Sequence, residues 1–297
     1  MTRLTVVTTN DDLARAALAA ALKVRQNAKI SLTDPISVFD LCASMGIDVQ
    51  FTNISMEGIY YPGAKPPRFV IASLRPAVRR AFTCAHELGH HVFGHGFRLD
   101  ELIENRESVN KSPEEFIADY FAASLLMPAL GIRKALAVRN LKANELKPEH
   151  LYAIACDFGV GYETLATHLS AGMRLISYDQ TQDLLKTKLR TIRKSFIGDI
   201  ECRRLIVIDQ KSVTSTIECE VGDHILVDAP VTPSNDSLQS LPSVNRKQLF
   251  LAARRGANTL RIDEGESFKQ VKIMSHQFVG LSRYLYLADP DPDEEDG

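Results

Sequence analysis

The 297-residue sequence contains no apolar run approaching the roughly 18 residues that a bilayer-spanning helix requires. Its opening residues, Met1-Thr2-Arg3-Leu4-Thr5-Val6-Val7, lack the charged segment, apolar stretch and small-residue cleavage site of a secretory leader. Neither charge is in excess. The formal net charge is -2, which removes any global electrostatic argument for a nucleic-acid or membrane partner. Cysteine is sparse: Cys42, Cys84, Cys156, Cys202 and Cys219 are odd in number, far apart and form no CxxC pair. A disulfide framework is not expected, and a reducing compartment is the simpler reading. No internal repeat is visible. These absences give the expectation of a cytoplasmic protein without a membrane partner.

What is present is the balance of a globular protein, with 45% hydrophobic and 24% charged residues in a chain long enough for one large domain or two ordinary ones. Residues 10–29 are rich in Ala and Leu behind the capping residues Asn10 and Asp11, and read as a helix. Asp34-Pro35 reads as the start of a second helix running to Gly46. Strands are expected at 47–51, 59–61 and 69–71, a helix over 76–93, a loop over 100–111 and a strong helix from Ser112 to Met127. Two or three helices follow over 132–168. Beyond residue 176 the pattern turns to strands, at 205–208, 213–220, 224–227, 259–263 and 268–274, with a long Pro/Ser/Asn-rich loop over 230–243. The acidic tail 289–297 is expected to be disordered.

The chemistry concentrates at His86-Glu87-Leu88-Gly89-His90. Residues four apart share one helix face, so His86 and His90 can offer two imidazoles to one ion. Glu87 is placed to reach a water on that ion. Zinc in such an HExxH arrangement lowers the pKa of bound water toward ~7, and the glutamate acts as general base. The apolar stretch before it, Ala81-Phe82-Thr83-Cys84-Ala85, fits a buried helix, where two histidines and a glutamate are costly unless used.

A catalytic zinc usually takes three protein ligands, so a third is needed. The next helix offers Glu115 and Asp119, again four apart. Glu115 would bind zinc, and Asp119 would accept the outer N–H of a ligand histidine and fix its tautomer. Against this, Ser112-Pro113-Glu114-Glu115 also matches a capping box, with Glu115 reaching back to the Ser112 backbone. Glu114 is the rival ligand, about 100° away around the helix. His91 and His95 read as solvated or core histidines. Tyr60 and Tyr61 lie on a strand near the cleft, and the oxyanion-stabilising role stays unassigned.

The stretch 79–90, followed by Glu115-Phe116-Ile117-Ala118-Asp119 and on to Pro128, resembles the ImmA/IrrE family of HExxH, gluzincin-like metallopeptidases. The resemblance spans roughly residues 35–170, and Gly58-Ile59-Tyr60-Tyr61-Pro62 is similar to the strand that precedes the family's active-site helix. It implies Zn2+ as cofactor, His86, His90 and Glu115 as ligands, Glu87 as base and Asp119 behind the ligands. It also implies an α+β fold: a mostly helical, minimal zincin-like core with a small sheet. The expected organisation is a peptidase domain at 1–128, a helix-turn-helix-like segment at 129–175, a β-rich regulatory or sensor-like domain at 176–288 and the tail 289–297.

Family members of known role cut helix-turn-helix repressors that control stress, phage-defence or mobile-element genes. A repressor of that kind is therefore the expected substrate. Residues 151–165 have helix-turn-helix punctuation, but the second helix carries Glu163 and no Lys or Arg through Leu169, so direct sequence-specific DNA reading is not expected. Two alternatives remain: a zinc-binding regulator that does not cut, and a broad housekeeping protease.

Overall fold

The computed structural model describes residues 9–96, 98–100, 112–262 and 267–288. The first part of the chain builds a helical layer on a mixed sheet. Its elements are α1 (Asn10–Asn27), α2 (Val38–Ser44), β1 (Asp48–Thr52), β2 (Gly58–Tyr61), β3 (Arg68–Ala72), α3 (Ala77–Val92), β4 (Arg98–Asp100) and α4 (Pro113–Leu126). Thr9 and Asp12 cap α1 reciprocally, and Ala17, Ala21 and Val24 bury its inner face. Ser112 caps α4, with Pro113 in the first turn. β1 runs parallel to β3, and β2 pairs antiparallel with both β3 and β4. Pairing of Phe51 with Ile71 and of Tyr60 with Phe69 keeps the apolar positions in register.

The helical layer continues through α5 (Ala129–Val138), α6 (Pro148–Asp157), α7 (Tyr162–Thr167), α8 (Tyr178–Lys186) and α9 (Leu189–Ile197). Strands follow: β5 (Leu205–Ile208), β6 (Thr216–Glu220), β7 (His224–Val227), β8 (Val231–Pro233), β9 (Leu238–Val244), β10 (Lys247–Ala252), β11 (Gly256–Ile262), β12 (Ser267–Met274) and β13 (Gly280–Leu281). They form sheets of order β5-β7-β10-β9 and β6-β12-β11-β8 around an apolar core that includes Ile206, Ile217, Phe250, Leu260 and Val271. The last strand, β13, leaves these sheets and pairs antiparallel with β1, at Gln50–Leu281 and Phe51–Gly280. The α+β architecture with a β-rich region late in the chain is as the sequence implies.

Several boundaries differ from expectation. The second helix starts at Val38 behind the cap Ser37, not at Asp34-Pro35. The reason is Arg25, fully buried, whose guanidinium donates to the carbonyls of Ser31, Asp34 and, across the core, Leu125 at 2.6 Å. Those contacts hold 31–34 in a bent, non-helical conformation. The region expected to be β-rich from residue 176 opens instead with the helices α8 and α9, and its first strand begins at Leu205 as expected. The expected loop over 230–243 carries β8 and much of β9. Both are edge strands, where proline removes no ladder hydrogen bond, so Pro233 and Pro242 are tolerated. The expected disordered tail 289–297 and most of the loop 100–111 lie outside the described residues.

One helical stretch, Pro113–Val138, is long and apolar enough to cross a membrane by length and composition. It is interrupted at Met127-Pro128, and 61% of its apolar window is buried inside the protein. It is a core element.

Candidate metal centre

α3 is buried on every side from Thr83 to His90, a run that includes Cys84, His86, Glu87, Leu88 and Gly89. It crosses α4 at close range. A Cβ on Gly89 would stand 3.0 Å from Ala118 Cα and 3.2 Å from Phe121 Cδ1. With glycine facing alanine, the helix axes approach closely enough for the histidines of α3 to meet the carboxylates of α4.

The result is a three-donor cluster. His86 Nε2, His90 Nε2 and the Glu115 carboxylate all lie within 4.8 Å of one another. The two imidazole nitrogens are 3.0 Å apart, and Glu115 oxygens stand 3.1 Å from His86 and 3.4 Å from His90. Asp119 Oδ1 lies 2.9 Å from His86 Nδ1. An ionised carboxylate only accepts, so this contact puts the His86 proton on Nδ1 and leaves Nε2 as a lone pair facing the cluster. Glu115 brings a carboxylate to the same point. Lone pairs and an anion crowded together repel unless positive charge sits among them, and two imidazoles with one carboxylate suit zinc. The residues fit the ion that the sequence implies.

Glu115 does not act as the return arm of a capping box. Its backbone N–H donates to Ser112 Oγ at 3.3 Å, while its side chain turns to the histidines. Glu114 is outside the cluster among the described residues. Glu115 and Asp119 are about one-third exposed, whereas His90 is fully buried, so the cluster opens to solvent on its α4 side.

Glu87 is completely buried beside the cluster. Strand β2 presses against it: a Cβ at Gly58 would lie 2.5 Å from Glu87 Oε1 and 2.8 Å from Thr83 Cγ2. Only glycine leaves that carboxylate its space. Two residues on, the buried Tyr60 places its hydroxyl 2.8 Å from His91 Nδ1. Burial raises the Tyr60 pKa and lowers that of His91.

His95 was not foreseen as part of the site. α3 ends in a reversal at Gly94, φ +68°, with the His95 N–H donating to the His90 carbonyl at 2.9 Å. This carries His95 back over the helix end, where its Nδ1 is 2.7 Å from His90 Nδ1. The signal was a glycine at the left-handed helix-stop position followed by a second imidazole. Cys84 sits 3.7 Å, sulfur to sulfur, from Cys42. Burial pushes the Cys84 thiol well up, which makes it inert as a metal ligand or nucleophile.

A separate cavity of about 120 Å³ lies where α2, α6 and the β-rich region meet. The polar groups around it find partners within the protein: Lys272 pairs with Asp40 at 2.6 Å and Arg139 with Asp157 at 2.7 Å, and the Tyr286 hydroxyl donates to Glu218 at 2.7 Å.

A buried helix pair that gathers two histidines and a glutamate, with a second glutamate beside them, defines a metallopeptidase-like centre. Residues 42–170 match the peptidase M78 family model, described as the IrrE N-terminal-like domain, and this match supports the ImmA/IrrE resemblance over that part of the chain. A transcriptional regulator from Mycobacterium tuberculosis is similar over 54% of this chain and 46% of its own length, with 20% identity and a TM-score of 0.34. The chain thus spans about half of that relative, and a likeness so distant carries no argument. No curated protein matches.

Proposed function

We propose that the protein is a zinc-dependent endopeptidase acting at His86, His90, Glu115 and Glu87, with a helix-turn-helix transcriptional repressor as substrate. The observation that carries this reading is the convergence of the three donors beside a buried glutamate, within a peptidase-family domain. His86, His90 and Glu115 would hold the ion, and Asp119 keeps His86 in the tautomer that binds. When bound, zinc would polarise a peptide carbonyl and acidify water. Glu87, enclosed by Gly58 and Thr83, takes the proton from the attacking water and delivers it to the leaving amine. Substrate approaches from the α4 side, where the cluster opens. The repressor class comes from the family resemblance, as does the reading of the β-rich region as a regulatory module.

The test combines metal content with cleavage. Purified protein is expected to hold about one zinc per chain, the stoichiometry of a single three-ligand site. Both His86→Ala and Glu115→Ala should lose it. A helix-turn-helix repressor encoded beside the gene should be cut at one position by the wild type and left intact by Glu87→Gln. Zinc binding with relief of repression by Glu87→Gln would instead support a regulator that does not cut. Digestion of casein would support a broad protease.

A further inference from the structure

We infer that His95 is a positioning residue for the metal centre, setting the tautomer of His90 as Asp119 sets that of His86. The inference rests on the metal-site reading above. Two ring nitrogens 2.7 Å apart, His90 Nδ1 and His95 Nδ1, must share one proton, because two protons would collide and two bare lone pairs would repel. For His90 Nε2 to face Glu115 and His86 as a lone pair, the His90 proton must sit on Nδ1. His90 therefore donates, and His95 Nδ1 accepts.

The acceptor is built into the fold. Gly94 supplies the reversal, the His95 N–H is tied to the His90 carbonyl, and the His95 ring stacks on Phe93 at 6.0 Å with an interplanar angle of 24°. Phe93 in turn meets Phe121 of α4 edge-on at 6.3 Å. The two histidines of the cluster are thus supported unequally. His86 is backed by an anion, and His90 by an imidazole on its own helix's exit turn. An imidazole acceptor polarises its donor less than a carboxylate does, so His95 is the softer of the two supports and the one whose loss a hydrogen-bonding replacement can repair.

Zinc affinity of the full chain, measured by competition with a chromophoric chelator, tests this. His95→Ala should weaken zinc binding by about 10- to 100-fold, the usual cost of losing such a partner. His95→Asn, whose amide oxygen can accept from His90 Nδ1, should recover most of the affinity. The absorption bands of the cobalt-loaded protein should shift in His95→Ala and return toward wild type in His95→Asn. His95→Ala binding zinc within twofold of wild type would overturn the inference while leaving the metal site intact. Equal losses in both variants, with matching drops in thermal stability, would also overturn it by reducing His95 to packing. A wild type that binds no zinc would overturn the metal-site reading itself, and this inference with it.

Discussion

Asn258 lies buried in the β-rich region and spends its whole side chain on one neighbouring loop. Its amide N–H donates to Asn235 at 2.7 Å and Ser237 at 2.9 Å, and its oxygen accepts from the Ser234 N–H at 3.0 Å. Every polar atom finds a complementary one, and the result is a fixed loop. At the α3–α4 crossing the arrangement is the reverse. His86, His90 and Glu115 converge on one point, and Asp119 and His95 stand behind the two histidines. The first region spends its polar groups on holding a loop. The second gathers donors that suit one positive ion, and that difference marks where chemistry can occur.

The largest expected effect comes from cutting the reactive side of this contrast. Glu87→Gln should lower peptide hydrolysis by at least about 10²-fold, the lower end of what general acid–base catalysis contributes. Zinc content should be unchanged, because Glu87 is not one of the three donors. Loss of zinc in that variant would place Glu87 among the ligands and blur the comparison.

Next is the joint between the two regions. Arg80, six residues before His86 on the same helix, is 1% exposed and pairs with Glu220 of β6, with Met274 Sδ at 3.3 Å and the Phe51 ring beneath it. Removing one member of a buried pair strands the other charge and costs about 3–5 kcal/mol. Arg80→Met should lower the thermal midpoint sharply, and adding Glu220→Leu should restore much of it. If the double variant is no better than the single one, the pair is not what joins the regions.

A somewhat smaller effect is a pH dependence of stability from His168. Burial lowers its pKa to about 4, and its Nε2 donates to the Met127 carbonyl at the end of α4. Because the folded value lies below the ordinary one of 6.5, the unfolded chain takes up the proton first on acidification. This contribution is complete above pH 6.5 and is lost as pH falls toward 4, by about 3 kcal/mol in all at 1.36 kcal/mol per pKa unit. Urea midpoints at neutral and acidic pH should diverge less for His168→Gln, which does not titrate, than for wild type. Equal divergence would remove His168 as the source.

The smallest is Asn258→Ala, which should cost about 1–3 kcal/mol by orphaning its partners. Zinc affinity should stay unchanged. A weakened metal site would show that the β-rich region bears on the cluster more directly than the buried joint suggests.

Much of the candidate site could be read from the chain because helix geometry is local. His86 and His90, or Glu115 and Asp119, share a face by spacing alone, and Ser112-Pro113 announces a helix start in any context. What escaped depended on unusual backbone or on distant partners. His95 reaches the cluster only through the left-handed turn at Gly94. β10 went unseen because the two-residue turn before it is Asn245-Arg246, with φ of 51° and 66°, where the pattern to expect is Asn-Gly. The start of α2 was misplaced because Arg25 claims the carbonyl of Asp34. The strands over 230–243 were hidden by prolines that only edge positions tolerate.

The strand β13 sets a timetable as well as a shape. Gly280 and Leu281 complete the sheet against which α3 packs, and Phe278 covers Phe51 edge-on at 6.1 Å. Those residues are synthesised nearly two hundred positions after His90. A growing chain halted before them presents the outer edge of β1 unpaired and Phe51 partly uncovered, the kind of open edge that invites pairing with other chains. The sheet beneath α3 is thus finished only when the β-rich half has been made.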